Sequence, residues 1–233
     1  ADLLDLMRRV RCFGINLARL DIRQEADRHS KLLNELFKKK YNIKYNLLSE
    51  KEKIKLLNKL IKEKNYFVDR IKITNKENKE VWNTFKQISK TPNECLGAYV
   101  ISMTSTASDI LSIYFLQKQA KIKNFLRVVP LFETLDDLKN ANSVMKNLFK
   151  LSWYRKMTSA KQEVMIGYSD SSKDAGKLSA SWHQYKLQEE LRGLAKKYKF
   201  DLVFFHGRGG SPGRGGGPIQ ATLKSQPAGT VNG

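Results

Sequence analysis

The sequence predicts an α/β protein in which strand–helix units succeed one another around a parallel sheet. Between Leu96 and Phe205, short apolar runs alternate with helix-length stretches four times, the pattern of successive βα units. Polar and charged residues fall just beyond the end of each run, where ligands bind in such folds. A loop dense in glycine follows the last run.

Taken in order, Leu3, Leu4, Leu6, Met7 and Val10 are spaced for an amphipathic helix from Ala1 to about Val10. Phe13 to Arg23 then alternates apolar and polar residues and reads as a strand. Leu17, Arg19, Asp21 and Arg23 share one side of it, Leu20 and Ile22 the other. Helices are expected from about Gln24 to Lys39 and from Ser49 to Lys64, the second opened by a capping box of Ser49 with Glu52. Residues 24–95 form a helical, lysine-rich part whose charges are expected to lie on a solvated face.

Residues 96–233 carry the βα units. The apolar runs are Leu96 to Met103, Leu126 to Phe132, Val164 to Tyr168 and Asp201 to Phe205. The helices between them are Ala107 to Ala120, Thr134 to Lys150 (with Asp136 and Asp137 at its start) and Leu178 to Tyr198. Arg23, Ser102 with Thr104, Glu133, Asp170, and His206 with Arg208 therefore mark five successive strand ends.

In the loop 206–218, seven of the chain's 14 glycines fall between positions 207 and 217, together with Arg208 and Arg214. Glycine lets backbone amides approach a ligand without a Cβ in the way, and arginine presents a planar fork suited to carboxylate and phosphate oxygens. A small phosphorylated or carboxylated acid fits that chemistry. A flexible linker or an RGG-type RNA-binding segment are the other readings of this stretch.

The net charge of +20 ordinarily points to nucleic acid or an anionic membrane surface. Only 12 of the 43 basic residues are arginine, however, and the lysines are spread along helical segments beside many Asn and Ile, as codon bias also produces. Cys12 and Cys95 are far apart in apolar surroundings, which suits a reduced cytosolic protein. No segment has the roughly 20 apolar residues of a membrane span, and no signal-peptide pattern opens the chain. The start at Ala1 and the unanchored last residues suggest part of a longer protein.

Glu133 and Asp170 occupy equivalent places beyond their strands, and two converging carboxylates can hold Mg²⁺ or Mn²⁺. Helix capping by Glu133, Asp170 and Asp174 is the competing reading. Lys173, in the polar loop from Tyr168 to Gly176, can meet an anion or simply be solvated. His206 sits beside an expected positive cluster, which favours its neutral form.

These residues carry a resemblance. Val129 to Leu138, Val164 to Gly176, Phe205 to Gly210 and Gly213 to Pro218 resemble signature segments of the phosphoenolpyruvate carboxylases. So do Leu20 to Glu25, Ile101 to Met103 with Ser108 and Asp109, and Ser225 to Pro227. The likeness is thinnest between about residues 38 and 90.

The resemblance implies an incomplete (β/α)8 TIM-type barrel with additional long helices, residues 1–233 being a fragment of one catalytic domain. It implies a cytoplasmic enzyme, homotetrameric at full length, that uses Mg²⁺ or Mn²⁺ to carboxylate phosphoenolpyruvate with bicarbonate, replenishing the tricarboxylic acid cycle. No nucleic acid or membrane partner belongs to that picture. Glu133 and Asp170 would be metal ligands, and Arg23 and Arg208 would hold phosphate and carboxyphosphate. His206 would place the carboxylation step, Lys173, Gly207, Gly209 and Gly210 would line the anion site, and Arg214 would belong to the inhibitor-sensing loop.

Pro212 departs from the β-branched residue more usual in the family. The family's second catalytic histidine, in a Thr-Ala-His-Pro motif, would lie upstream and the remaining strands downstream. The isolated piece is therefore expected to be inactive and marginally stable, with strand edges unpaired.

Overall fold

The structure, a computed structural model, describes residues 2–14, 18–207 and 218–231. Five strands, β1 (Leu20–Glu25), β2 (Leu96–Ser102), β3 (Arg127–Phe132), β4 (Lys161–Gly167) and β5 (Asp201–Gly207), form one sheet in the order β1-β2-β3-β4-β5. Every neighbouring pair is parallel. A doubly wound sheet reverses its strand order at a switch point. Unreversed order combined with right-handed crossovers instead sends the connecting helices to one face, the winding of an incomplete (β/α) barrel.

The two faces separate accordingly. Tyr99, Ile101, Val128, Phe132, Val164 and Ile166 join the large core beneath the helices. Ala98, Val100, Val129 and Leu131, with Met165 against them, form a second, smaller cluster on the opposite, inner face. Val203 and Phe205 continue that inner face onto β5, where they remain 55% and 51% exposed.

The helices are α1 (Asp2–Phe13), α2 (Ala26–Tyr41), α3 (Glu50–Lys62), α4 (Lys76–Lys90), α5 (Ala107–Gln119), α6 (Leu135–Phe149), α7 (Ser152–Met157), α8 (Ser169–Ala175), α9 (Lys177–Tyr198) and α10 (Ile219–Lys224). Local chemistry sets many of their ends. Ser49 with Glu52 and Thr134 with Asp137 make reciprocal capping boxes, and Asn42, in the left-handed region at φ 56°, ends α2. Lys118 Nζ donates to the carbonyls of Leu60, Ile61 and Glu63 where α3 runs out of backbone partners. The central helix α5 is apolar nearly all round and buried along its length, as such a helix must be.

The lysine-rich part does more than present charge to water. Leu32, Leu33, Leu36 and Phe37 of α2, Leu57 of α3, and Val81 and Phe85 of α4 belong to the same core as the sheet.

Several expectations need correction. The first strand spans Leu20 to Glu25 and not Phe13 to Arg23, because pairing with β2 runs from Leu20 opposite Leu96 to Glu25 opposite Ser102. Ala18 and Arg19 precede the strand. Phe13 belongs to α1, and Ile15 to Leu17 lie outside the described residues. The stretch expected as a polar loop after β4 is the helix α8. Cys12 is exposed on α1, none of whose residues is buried, and Cys95 is half-buried. Both cysteines are free.

Two side chains pin β1 to β2. Asp21 Oδ1 accepts from the Ala98 amide at 2.6 Å, beside an irregularity in the pairing between Leu20 and Ile22. On the other face, Tyr99 donates its hydroxyl to Gln24 at 2.7 Å and lies 2.8 Å from His29 Nε2, so that nitrogen carries the imidazole proton. Burial, aided by neighbouring Arg28, lowers His29 to about 3, so it stays neutral. Arg23 is thereby held between two fixed neighbours.

Glu35 ties α2 to the segment leading into α4, accepting from Lys39, the Thr74 amide and hydroxyl, and Asn78 at 2.6 to 2.8 Å. Burial alone would raise its pKa, but the hydrogen bonds from Asn78, Lys39 and Thr74 outweigh that and bring it to about 2. A carboxylate depressed in the folded state contributes stability above its ordinary value of 4.5 and loses it as pH falls through about 2. Glu35→Gln is expected to cost about 1 to 3 kcal/mol at neutral pH. In urea unfolding the deficit should vanish as the solution is acidified across that window. A deficit independent of pH would contradict this.

Candidate active site at the strand ends

Strand parity decides which residues reach the inner rim. Arg23 pairs across to Val100, an inner-face residue, so it too faces inward. Glu133 follows β3 by one residue and keeps the parity of Val129 and Leu131. Its side chain turns back over the end of β2, where Oε1 accepts from the Met103 amide at 2.8 Å. Met103 adopts φ 54°, an uncommon conformation for a residue with a side chain, and this aims its N–H at the carboxylate.

Glu133 is only 4% exposed, and Oε2 lies 3.6 Å from the Arg23 guanidinium. Asp170, the second residue of α8, is close enough to Glu133 for its negative charge to act there. Burial raises the Glu133 pKa, and Asp170 adds to the rise. The Met103 amide and Arg23 oppose it. Lys173, one turn along α8, stands 3.4 Å from Asp170 in a largely exposed pair. Such a pair is weak, so Lys173 can leave Asp170 for an incoming anion at little cost.

The structure thus joins Arg23, Glu133, Asp170 and Lys173 into one connected group of alternating charge. His206 has the other parity. It pairs with Ile166, which belongs to the helix-side core, so its ring stands on the opposite face from Phe205. There its Nδ1 lies 2.7 Å from the Tyr168 hydroxyl. Gly207 closes β5 on the inner parity, where a Cβ would meet the Met165 methyl at 2.8 Å. Arg208, Gly209, Gly210 and Arg214 lie outside the described residues.

The capping reading is settled residue by residue. Asp174 caps: its Oδ2 accepts from Leu135 N, at the start of α6, at 2.8 Å. Glu133 instead serves Met103. Asp170 sits inside α8 and lies against Glu133 and Lys173.

Two contributors escaped the sequence reading. The Met103 amide left no signal, since a left-handed turn at a non-glycine residue has no signature. Gly167 did leave one, a glycine inside a strand, which marks close approach. A Cβ at Gly167 would stand 2.5 Å from the Glu133 Cβ.

A pair of carboxylates supplies hard oxygen donors, and a divalent cation between them removes the repulsion the fold otherwise sustains. The donor set therefore fits Mg²⁺ or Mn²⁺. Among the described residues no group of three or more His, Cys, Asp or Glu side chains is placed to hold a metal. Glu133 and Asp170 would make a partial shell, leaving sites for water and substrate. Among the described residues, no helix is long and apolar enough to cross a membrane.

A family model described as phosphoenolpyruvate carboxylase matches residues 1–233. Phosphoenolpyruvate carboxylase 3 of Arabidopsis thaliana is 49% identical over 234 residues, and the phosphoenolpyruvate carboxylases of Enterobacter sp. (strain 638) and Pisum sativum are 48% and 47% identical. Each comparison covers 100% of this chain but 24% to 26% of the relative, so the chain spans about a quarter of their length. The strand-end carboxylates and arginine thus sit in a match that runs the whole length of the chain, and the chain belongs to the phosphoenolpyruvate carboxylase family.

Proposed function

We propose that this chain supplies part of the active site of an enzyme that carboxylates phosphoenolpyruvate with bicarbonate, yielding oxaloacetate and phosphate. The observation that carries the reading is the meeting of Arg23, Glu133, Asp170 and Lys173 beyond the ends of β1, β3 and β4. A bicarbonate oxygen attacks phosphorus and the bond from phosphorus to the enol oxygen breaks, giving carboxyphosphate and the enolate of pyruvate. The enolate carbon then takes up the carboxyl group as phosphate leaves.

Both reactants are anionic, so the first step needs positive charge around the phosphorus. Arg23 lies on the inner face with its guanidinium about half exposed, free to bring donors to a phosphate oxygen while its other side faces Glu133. Lys173 offers a second, mobile cation for bicarbonate or phosphate. Glu133 and Asp170 would hold Mg²⁺ or Mn²⁺, which when bound offsets charge on the phosphoryl and enolate oxygens. His206 and Arg208 belong in this reading to the carboxylation step, with Gly207, Gly209 and Gly210 cradling oxygen and Arg214 in the inhibitor-sensing loop. Exclusion of water protects the enolate from protonation to pyruvate.

The same reading makes the full-length protein a cytoplasmic homotetramer built on a closed eight-stranded barrel, with no role for nucleic acid or a membrane. The rival reading of the glycine–arginine loop as an RNA-binding segment gains no support from relatives named as carboxylases along the whole chain.

In a protein of the relatives' full length, Glu133→Ala or Asp170→Ala is expected to lower metal-dependent carboxylation by about a hundredfold or more in a coupled oxaloacetate assay. Retained activity would remove both residues from the site. The 233 residues alone should form no oxaloacetate, and measurable turnover by them would show that the upstream and downstream segments are dispensable.

A further inference from the structure

Asp170 and Glu133 repel each other, so something outside the pair must hold α8 against the end of β3. A helix of seven residues, three of them serine, does not persist without tertiary support. That support converges on the carbonyl of Gly167, the last residue of β4. Ser171 Oγ donates to it at 2.8 Å, and Gln184 Nε2, reaching across from α9, donates to it at 3.0 Å. Gln184 Nε2 also donates to Ser171 Oγ at 2.7 Å. Ser171 is 0% exposed and Gln184 4%, so these bonds form out of water, where losing a partner is costly.

Gly167 is also the residue whose missing Cβ admits Glu133. One peptide unit therefore faces Glu133 through its α-carbon and is gripped by Gln184 through its oxygen, and Asp170 follows three residues later. At the far end of α8, Asp174 bonds the Leu135 amide from an exposed position, a weaker fastening.

We propose that Gln184 is a positioning residue for the carboxylate pair: by gripping Gly167 and Ser171 together it sets the spacing of Asp170 from Glu133. That spacing governs the affinity of the pair for a divalent cation, although Gln184 touches neither carboxylate. The inference rests on reading Glu133 and Asp170 as cation ligands.

The test uses a protein of the relatives' full length and Mn²⁺ as probe, with free Mn²⁺ followed by electron paramagnetic resonance and folding followed by thermal unfolding. Gln184→Met keeps length and packing while removing both donations, and should weaken Mn²⁺ binding about tenfold, with KM for the metal rising and kcat at saturating metal little changed. Gln188→Met, one turn along α9, removes only a bond to the Gln184 carbonyl and should leave Mn²⁺ affinity where it was. Unchanged Mn²⁺ affinity in a folded Gln184→Met protein would overturn the inference.

Should that variant fail to fold, Ser171→Ala removes a member of the same cluster and should weaken Mn²⁺ about threefold, no change again overturning the proposal. Glu133→Gln and Asp170→Asn separate the two levels. If they leave Mn²⁺ affinity intact, the ligand reading itself fails. If they abolish binding while Gln184→Met does not alter it, only the positioning role fails.

Discussion

Two carboxylates held close enough to repel each other, one of them almost fully buried, are the constraint around which the rim of this sheet is built. Left to themselves Glu133 and Asp170 would separate, since like charges repel and the burial of Glu133 weakens the screening between them. The fold answers with counter-charge from Arg23 and Lys173 and with a backbone amide from Met103. That amide is aimed by a backbone conformation few residues adopt, and the close approach of β4 is made possible by a glycine. Uncommon local features that cluster on one pair of side chains suggest that the pair is what the local structure serves.

The larger architecture makes the meeting possible. With strand order unreversed, the ends of β1, β3 and β4 lie along a continuous rim, and parity brings Arg23 and Glu133 to the same side. Both faces of the sheet then acquire distinct tasks. The helix-facing side is a large apolar core shared with α2 to α6 and α9, which gives the strands fixed positions. The inner side carries a thin apolar layer below the charged group, and on β5 that layer stays open.

Much of this was legible in the sequence because the signals were local. Apolar runs in β2, β3 and β4 and the capping box at Ser49 mark their elements directly, and Arg23 and Glu133 stand together on the inner side of the rim. The start of β1 was not legible, because alternation continues upstream whether or not a neighbouring strand is there to pair with it. Helix α8 was hidden for the opposite reason. Its serines and aspartates favour loops locally, and it is helical because buried bonds from Ser171 and Gln184 hold its first turn. His206 shares its strand end with the site residues, yet counting alternate positions from Phe205 places it on the helix side, a distinction motif spacing alone does not make.

The central claim is that Glu133 and Asp170 together hold one divalent cation at the strand ends. It is tested most directly by anomalous diffraction from a crystal of the full-length protein soaked in Mn²⁺. The account predicts a single anomalous peak bonded to an oxygen of each carboxylate at about 2.0 to 2.2 Å, with Arg23 beside it. A peak bonded to neither, or the two side chains turned apart with the ion elsewhere, would contradict it.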